Sequence, residues 1–426
     1  MKGQLVRLAW ATGAATAPSL AAAQAGGAGP MIAIEPVLDR DDVAGTRVEP
    51  AYQPQPVRMG PVLARPGLSV VTQYLSNTFN RPDARAAAVV SVMPSLELST
   101  DLPRHQLGLS ASGTVRRFSQ HQTENSEEFA LAGDGRYDFG AHHDLRASAE
   151  FARRIEPRST AGSIPDAAEP ASYDRRSAEL AMNLDFAAVR LVPALRYERL
   201  DYRDVALSGG GSVDMHFRDT RSVRADLRIE YRLTGMLSAF ASAAREDVDS
   251  TSPTAVLRRD AHDTTLIAGL RGAVSPVMSG EIGLGYRRRA YAQPELRDFR
   301  GLTFRADLQW YVTPLLTLRA QADRSFRNSG NPAVGAILAD RFAFSAFHDP
   351  LCNLRLAAMA ELERGRFDDV RTRTWRKTLQ LRAQFRVNRT IAFGGFLGLV
   401  RQDVSGPPVV VPFTAFTAGL GMTITP

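Results

Sequence analysis

A single cysteine, Cys352, stands in 426 residues. That excludes an intramolecular disulfide framework, a CxxC redox pair and any zinc site built on several thiolates. No stretch reaches the roughly 18 uninterrupted apolar residues that a membrane-spanning helix needs. HExxH, a Walker-type Gly-Lys-Ser/Thr and a GxSxG elbow are also missing, and with them the common motif routes to a protease, an NTPase or a hydrolase. The 7 histidines fall mostly in or beside turns and loops, where a solvated side chain is the default. His142-His143-Asp144 makes a poor metal or catalytic cluster, because adjacent residues diverge on a strand. Ser119 and His121 are too close in sequence to come from neighbouring strands as a phospholipase-like dyad. Gly133-Asp134-Gly135 and Gly209-Gly210-Gly211 resemble phosphate loops only superficially. No catalytic residue, cofactor or metal ligand is expected, and the chain reads as a non-enzyme.

What is present is a balanced, mildly basic composition: 44% apolar and 23% charged residues, with 52 Lys and Arg against 45 Asp and Glu, a net +7. That rules out a disordered tail and permits an anionic partner. The 33 Gly and 25 Pro are spread along the whole chain and favour many short elements joined by turns.

Lys2 and Arg7 precede a weakly apolar run from Leu8 to Ala23, and Ala23-Gln24-Ala25 gives the small-x-small pattern of a signal-peptidase site. Residues 1–25 are therefore expected to be a cleaved signal peptide, with no cysteine nearby for a lipid anchor. Export argues against nucleic acid as the anionic partner. Residues 26–64 carry Pro30, Pro36, Pro50, Pro54, Pro56 and Pro61 with few large apolar side chains, so they are expected to form a flexible periplasmic arm. Such an arm is suited to docking on a partner or entering a lumen.

From Leu68 onward the period is two. In Leu302 to Val312 one face is Leu, Phe, Ala, Leu, Trp, Val and the other Thr, Arg, Asp, Gln, Tyr. Leu379 to Val387 sets Gln and Arg against Leu, Ala, Phe and Val, and Val223 to Leu233 puts five charges on one face and six apolar residues on the other. A helix would scatter those charges round its axis; a strand with one apolar and one wet face collects them.

Connections alternate between tight and long. Tight turns are read near Leu102-Pro103-Arg104, Gly140-Ala141-His142, Ala187-Ala188, Thr234-Gly235, Ser275-Pro276, Thr313-Pro314, His348-Asp349-Pro350 and Asn388. Longer polar stretches run from 119 to 126, 157 to 172, 204 to 216, 250 to 259, 292 to 298, 329 to 334, 368 to 371 and 403 to 410. Short turns at one end and long loops at the other describe an all-β, up-and-down antiparallel transmembrane barrel over residues 65–426, of about 18 strands, or 16 if the first pair is miscounted. Strands of ten to fifteen residues exceed the average of about six in soluble proteins. Tyr74, Phe79, Tyr137, Phe139, Tyr197, Tyr202, Tyr231, Tyr286, Tyr291, Trp310, Tyr311 and Trp375 are candidates for two interfacial girdles.

Strand parity also names a wet face. Arg224, Asp226, Arg228, Glu230, Arg232, Arg305, Asp307, Arg319, Asp323, Arg382 and Arg386 are the candidate pore-lining residues, whereas Leu308, Leu318 and Leu381 are expected to face lipid. A barrel of 16 to 18 strands encloses an aqueous channel, and an Arg-biased wall favours anions. Cross-strand Arg to Asp ladders also brace a wall whatever passes through it.

The segments Gly285-Tyr286-Arg287-Arg288-Arg289-Ala290-Tyr291, Asp298-Phe299-Arg300-Gly301-Leu302-Thr303 and Trp310-Tyr311-Val312-Thr313-Pro314, with Met93-Pro94-Ser95-Leu96, resemble the β-barrel porin type 2 family of Gram-negative outer-membrane proteins. The resemblance spans most of the chain after residue 65. The terminal Met422-Thr423-Ile424-Thr425-Pro426 departs from it in lacking the final Phe of barrel-assembly signals. The resemblance implies location in the outer membrane and association with exopolysaccharide or capsule export. The expected partners are outer-membrane lipid, periplasmic polysaccharide-export proteins, and an acidic polysaccharide or small solutes. Two alternatives stay open: a general or anion-preferring diffusion porin, and a plugged structural or adhesion barrel.

Overall fold

The computed structural model describes residues 43–426 except 48, 103, 159–163, 165, 166, 253–257, 330–333, 368, 408 and 409. The expected signal peptide and the first part of the arm lie outside the described residues. So do pieces of the long loops.

Eighteen long strands follow one another along the chain. The first nine are β1 (Val62–Leu75), β2 (Ala87–Thr100), β3 (Gln106–Phe118), β4 (Ser126–Asp138), β5 (His143–Ile155), β6 (Ser172–Phe186), β7 (Val189–Tyr202), β8 (Thr220–Arg232) and β9 (Leu237–Ser250). The rest are β10 (Ala261–Ser275), β11 (Met278–Tyr291), β12 (Phe299–Thr313), β13 (Leu316–Asn328), β14 (Ala336–Leu351), β15 (Leu354–Phe367), β16 (Thr372–Arg386), β17 (Ile391–Ser405) and β18 (Phe413–Ile424). Each pairs antiparallel with its sequence neighbour, and β18 closes onto β1 from Leu68↔Ile424 to Leu75↔Thr417. Closure satisfies every strand edge, the condition for an all-strand wall in hydrocarbon. This is the up-and-down barrel read from the alternation, at the higher of the two strand counts.

β1 begins at Val62, ahead of the arm–barrel boundary drawn at residue 65, and a short strand Val57–Met59 folds back on it. Apart from the His348-Asp349-Pro350 turn, the expected tight turns and long loops fall between strands to within a few end residues. The loop of residues 76–86 between β1 and β2 was not anticipated. One turn is displaced: β14 runs on to Leu351, and the register shifts between His348 and Leu351. Pro350 has no N–H to give to the ladder, so the pairing skips it and the reversal falls at Cys352-Asn353.

The large exposed hydrophobics on the strands share the outward parity and are spread round the barrel, with β5, β9, β13 and β15 contributing smaller or half-buried apolar residues instead. Leu109, Leu131, Leu180, Leu195, Leu227, Leu266, Leu284, Leu302, Phe342, Leu381, Leu397 and Leu420 are among them, with Leu302 and Leu420 at 74% exposure. A continuous apolar belt of this extent has no stable place in water. It is the lipid-facing surface, and the opposite face encloses the lumen.

The same parity sorts the aromatics. Tyr74, Tyr137, Tyr231, Trp310 and Trp375 are exposed on the outer face. Tyr202 and Tyr311 are corrections: they are buried on the inner face at 7% and 6% exposure, and Tyr291 shares the parity of inward Arg289. Trp310 and Tyr311 are adjacent, so a period of two lets only one of them meet lipid. Phe79 sits in the 76–86 loop with its ring 4.9 Å from His121.

Gly285 allows close strand approach in the middle of the Gly-Tyr-Arg-Arg-Arg segment. A Cβ there would stand 1.9 Å from the Leu266 carbonyl oxygen, which is backbone and cannot swing away. Gly285→Ala is therefore expected to destabilise the barrel by about 1–3 kcal/mol as an overpacked site, measurable as a lower urea midpoint in detergent unfolding.

Candidate pore and its charged lining

The structure places all eleven sequence-predicted polar positions on the inward face. Arg224, Asp226, Arg228, Glu230 and Arg232 alternate on β8 with the exposed Val223, Leu227, Ile229 and Tyr231. Arg305 and Asp307 on β12, and Arg319 and Asp323 on β13, share the parity that opposes Leu308 and Leu318. Arg382 and Arg386 alternate on β16 with exposed Leu379, Leu381 and Phe385.

Most of these side chains are tied into ion pairs along the wall. Arg228 lies 2.7 Å from Glu230 and 2.8 Å from Glu281 on β11, with its guanidinium 3.9 Å from the Phe240 ring centroid. Arg224 bridges Asp226 at 2.7 Å and Glu246 at 3.5 Å. Arg319 meets Asp307 at 2.6 Å, and Arg341 lies between Glu361 at 2.7 Å and Asp323 at 3.6 Å. In register, Arg305, Asp323, Arg341, Glu363, Arg376 and Gln402 lie opposite one another across β12 to β17, so the sign alternates along the row until it ends on an amide. Opposite charges in directly facing positions stabilise a sheet pair by roughly 0.2–1 kcal/mol each.

The lining is not uniform round the barrel. From β4 to β15 the inward positions alternate acids and bases, including Arg175 with Glu150 and Glu198, and Arg196 with Glu179. The inward faces of β16, β17, β18 and β1 carry no carboxylate at all. On β16 they read Thr372, Thr374, Arg376, Thr378, Gln380, Arg382, Gln384 and Arg386. Arg382 faces Ala357 and Phe396 in register, and Arg386 faces Ala392. Arg382 donates to Gln380 at 3.1 Å and Arg376 to Gln402 at 2.8 Å. This sector is a small-residue, amide and guanidinium surface, able to bond hydroxyl groups and carboxylates but with no fixed negative charge of its own.

Sequence reasoning missed the acidic partners Glu246, Glu281 and Glu361 and the carboxylate-free sector. The signal was the same alternation, blurred on β10 and β11 by Gly269, Gly280, Gly283 and Gly285, which break an apolar-versus-polar count.

Both ends of the lumen carry further contacts. At the turn end, residues 43–47 make a tight turn against the inner wall: Ala44 is fully buried on Phe347 and Ala357. Gly45 donates its N–H to Asp349 at 3.3 Å, and Arg355 donates to the Arg47 carbonyl at 2.9 Å. Gly45 adopts φ +91°, with the Phe347 ring 3.2 Å from where a Cβ would stand. At the loop end, Arg218 reaches from the 203–219 loop to Glu156 at 2.6 Å. Burial pushes the Arg218 pKa down, but the Glu156 carboxylate outweighs it and the net direction is up. Arg259 donates to the Ser329 carbonyl at 2.6 Å, and its pKa is lowered to about 10 by burial and by Arg218. These contacts staple neighbouring loops together over the lumen mouth.

The His142-His143-Asp144 cluster is split by the strand, and only Asp144 joins the lining. His143 and Asp144 face opposite sides of the wall: the His143 ring packs 5.3 Å from Phe186, while Asp144 pairs with inward Arg146 at 2.7 Å. Among the described residues, one group could present three metal ligands, Asp204, Asp214 and His216, and all three are exposed.

The family model described as "Putative beta-barrel porin 2" matches residues 49–406. No curated protein sequence matches the chain. Among solved structures, OpdO of Pseudomonas aeruginosa is 12% identical, with 85% of this chain and 97% of that chain covered at a TM-score of 0.46. The copper transporter OprC is 11% identical, with 87% and 81% covered at 0.49, and the ferric citrate transporter FecA is 13% identical, with 87% and 64% covered at 0.45.

Proposed function

Because the chain belongs to the Putative beta-barrel porin 2 family and is an outer-membrane porin-like barrel, we propose that it serves as the outer conduit for a secreted acidic exopolysaccharide or capsule polymer. In this reading residues 1–25 are cleaved on export, the Pro-rich arm stays periplasmic, and periplasmic export components deliver the polymer to the turn end.

The observation that carries the proposal is the carboxylate-free sector from β16 to β1, with Arg382 and Arg386 set among Ala357, Phe396 and Ala392. An acidic sugar chain offers hydroxyls and carboxylates at intervals. A wall of amides, hydroxyls and guanidinium groups can exchange bonds with them one unit at a time, which lets the polymer bind and move on. The ion-paired wall from β4 to β15 supplies rigidity and little net field. The turn at residues 43–47 favours a passage that is narrowed at rest.

Single-channel recording of the mature protein in a planar bilayer tests the reading. An anion-selective conductance that is blocked by added acidic polysaccharide, and relieved of the block by Arg382→Glu with Arg386→Glu, is the expected result. Anion selectivity without polymer block would instead favour a diffusion porin. A folded barrel silent in both forms would favour a plugged scaffold.

A further inference from the structure

On the outward positions of the eighteen strands, every Arg, Lys, Asp and Glu lies in the loop half of the wall, and the turn half holds none. β6, β7 and β8 show the pattern most clearly. Toward the turn end their outward residues are apolar over Ala178–Phe186, Val189–Tyr197 and Val223–Tyr231. Nine tilted strand residues reach about 25 Å, one hydrocarbon thickness. Immediately above come Arg176, Arg199 and Arg221.

These three arginines face one another directly in register: Arg176 opposite Arg199, and Arg199 opposite Arg221. Cβ atoms in such positions stand roughly 4.5–5.5 Å apart, and like charges there oppose folding. The compensation present is partial. Arg199 lies 2.8 Å from Asp201 and Arg176 lies 3.9 Å from the same carboxylate, while exposed Arg221 faces Asp249 on its other side in register without closing an ion pair with it. Arg288 and Arg300 repeat the arrangement on β11 and β12, outward, exposed and opposite, with no described partner. Below Arg176 the lipid-facing surface is hollowed into an open groove of about 720 Å³ lined by Leu96, Leu109, Leu131, Gly133 and Phe151.

We propose that this outer wall binds a phosphate-bearing lipid of the loop-side leaflet. The phosphate sits among Arg176, Arg199 and Arg221, and an acyl chain lies in the groove beneath. A phosphate relieves the repulsion that the register imposes and accepts several charge-assisted hydrogen bonds at once. On the strands themselves the outward face carries charge only toward the loop end; exposed Arg104 and Arg389 stand in turns at the other rim but have no second arginine facing them in register, so the facing arginine row belongs to one leaflet.

Native mass spectrometry of the detergent-purified barrel, offered phosphorylated lipid A and its dephosphorylated form, tests this. The wild-type protein is expected to retain the phosphorylated lipid about tenfold more than the dephosphorylated one. Arg176→Gln with Arg199→Gln and Arg221→Gln should remove that preference, and the corresponding three Lys substitutions should restore most of it. Equal retention of both lipids by the wild-type protein overturns the proposal, as does an undiminished preference in the Gln variant. If the Gln variant does not fold, rising inorganic phosphate is added to the lipid-loaded wild-type protein. Release of the lipid supports the site, and lipid that stays bound overturns it.

Discussion

Leu284→Arg is expected to lower the stability of the inserted barrel by about 2–4 kcal/mol, the cost of a guanidinium facing the middle of the hydrocarbon. Leu284 is 69% exposed in the absence of lipid. It sits mid-strand on β11, opposite Ala268 and Phe304, so a long cationic side chain cannot easily snorkel to either rim. The inward control is Arg305→Gln one strand away, where the guanidinium faces the lumen and the row of alternating charge keeps its other members; its effect should stay within about 0.5 kcal/mol. Refolding into vesicles, followed by urea titration of the heat-modifiable band, reads both. Equal losses at the two positions would mean that the faces are wrongly assigned, and a larger loss for Arg305→Gln would invert them.

The architecture was legible because its two determinants are local. A period of two needs only neighbouring residues to be seen, and tight or long connections announce themselves through Gly, Pro, Asn and Asp. Val223 to Leu233 and Leu302 to Val312 show the faces without any knowledge of partners, and the barrel register then puts every charged member inward. The failures are local as well. The 76–86 loop was missed because Asn77, Asn80, Pro82 and Asp83 follow a segment read only from Leu68 onward. The His348-Asp349-Pro350 turn was placed early because proline reads as a turn, whereas here the ladder absorbs it in an irregular step before reversing.

The lining was legible only in part, because pairing is a property of register rather than of sequence distance. Arg228 and Glu281 are 53 residues apart and meet because β10 contributes Arg271 and Gly269 between them without blocking the reach. Strand parity finds Arg228; it cannot say which acid answers it. The carboxylate-free sector is likewise invisible strand by strand, since the absence of acid on β17 means little until β16, β18 and β1 are known to flank it. Tyr311 shows the converse error: an aromatic at a strand end was assigned to the membrane rim, and the inward parity of Gln309 places it in the lumen, where its hydroxyl donates to Gln309 at 3.2 Å.

Arg228→Ala should be the most disruptive change to the lining. The guanidinium stands between Glu230 and Glu281 and covers Phe240, and the three side chains of this ion-pair group are 8% to 17% exposed. Removing it leaves two close carboxylates to share Arg271, which lies 3.6 Å from Glu230. A fully buried pair broken in this way costs about 3–5 kcal/mol; a lumen wall reached by water should lose less, about 2–3 kcal/mol. The electrical consequence is separable from stability, because losing one of the two cations in the group of Arg228, Arg271, Glu230 and Glu281 moves the local wall from 0 to −1. Reversal potentials should shift toward cations in Arg228→Ala and return in Arg228→Ala with Glu281→Gln, which restores the charge count without restoring the bridge. If the double variant regains selectivity but not stability, the guanidinium acts on ions through charge and on the wall through geometry. If selectivity is unmoved in the single variant, the ion path runs elsewhere, and the sector from β16 to β1 is the part of the lumen left to carry it.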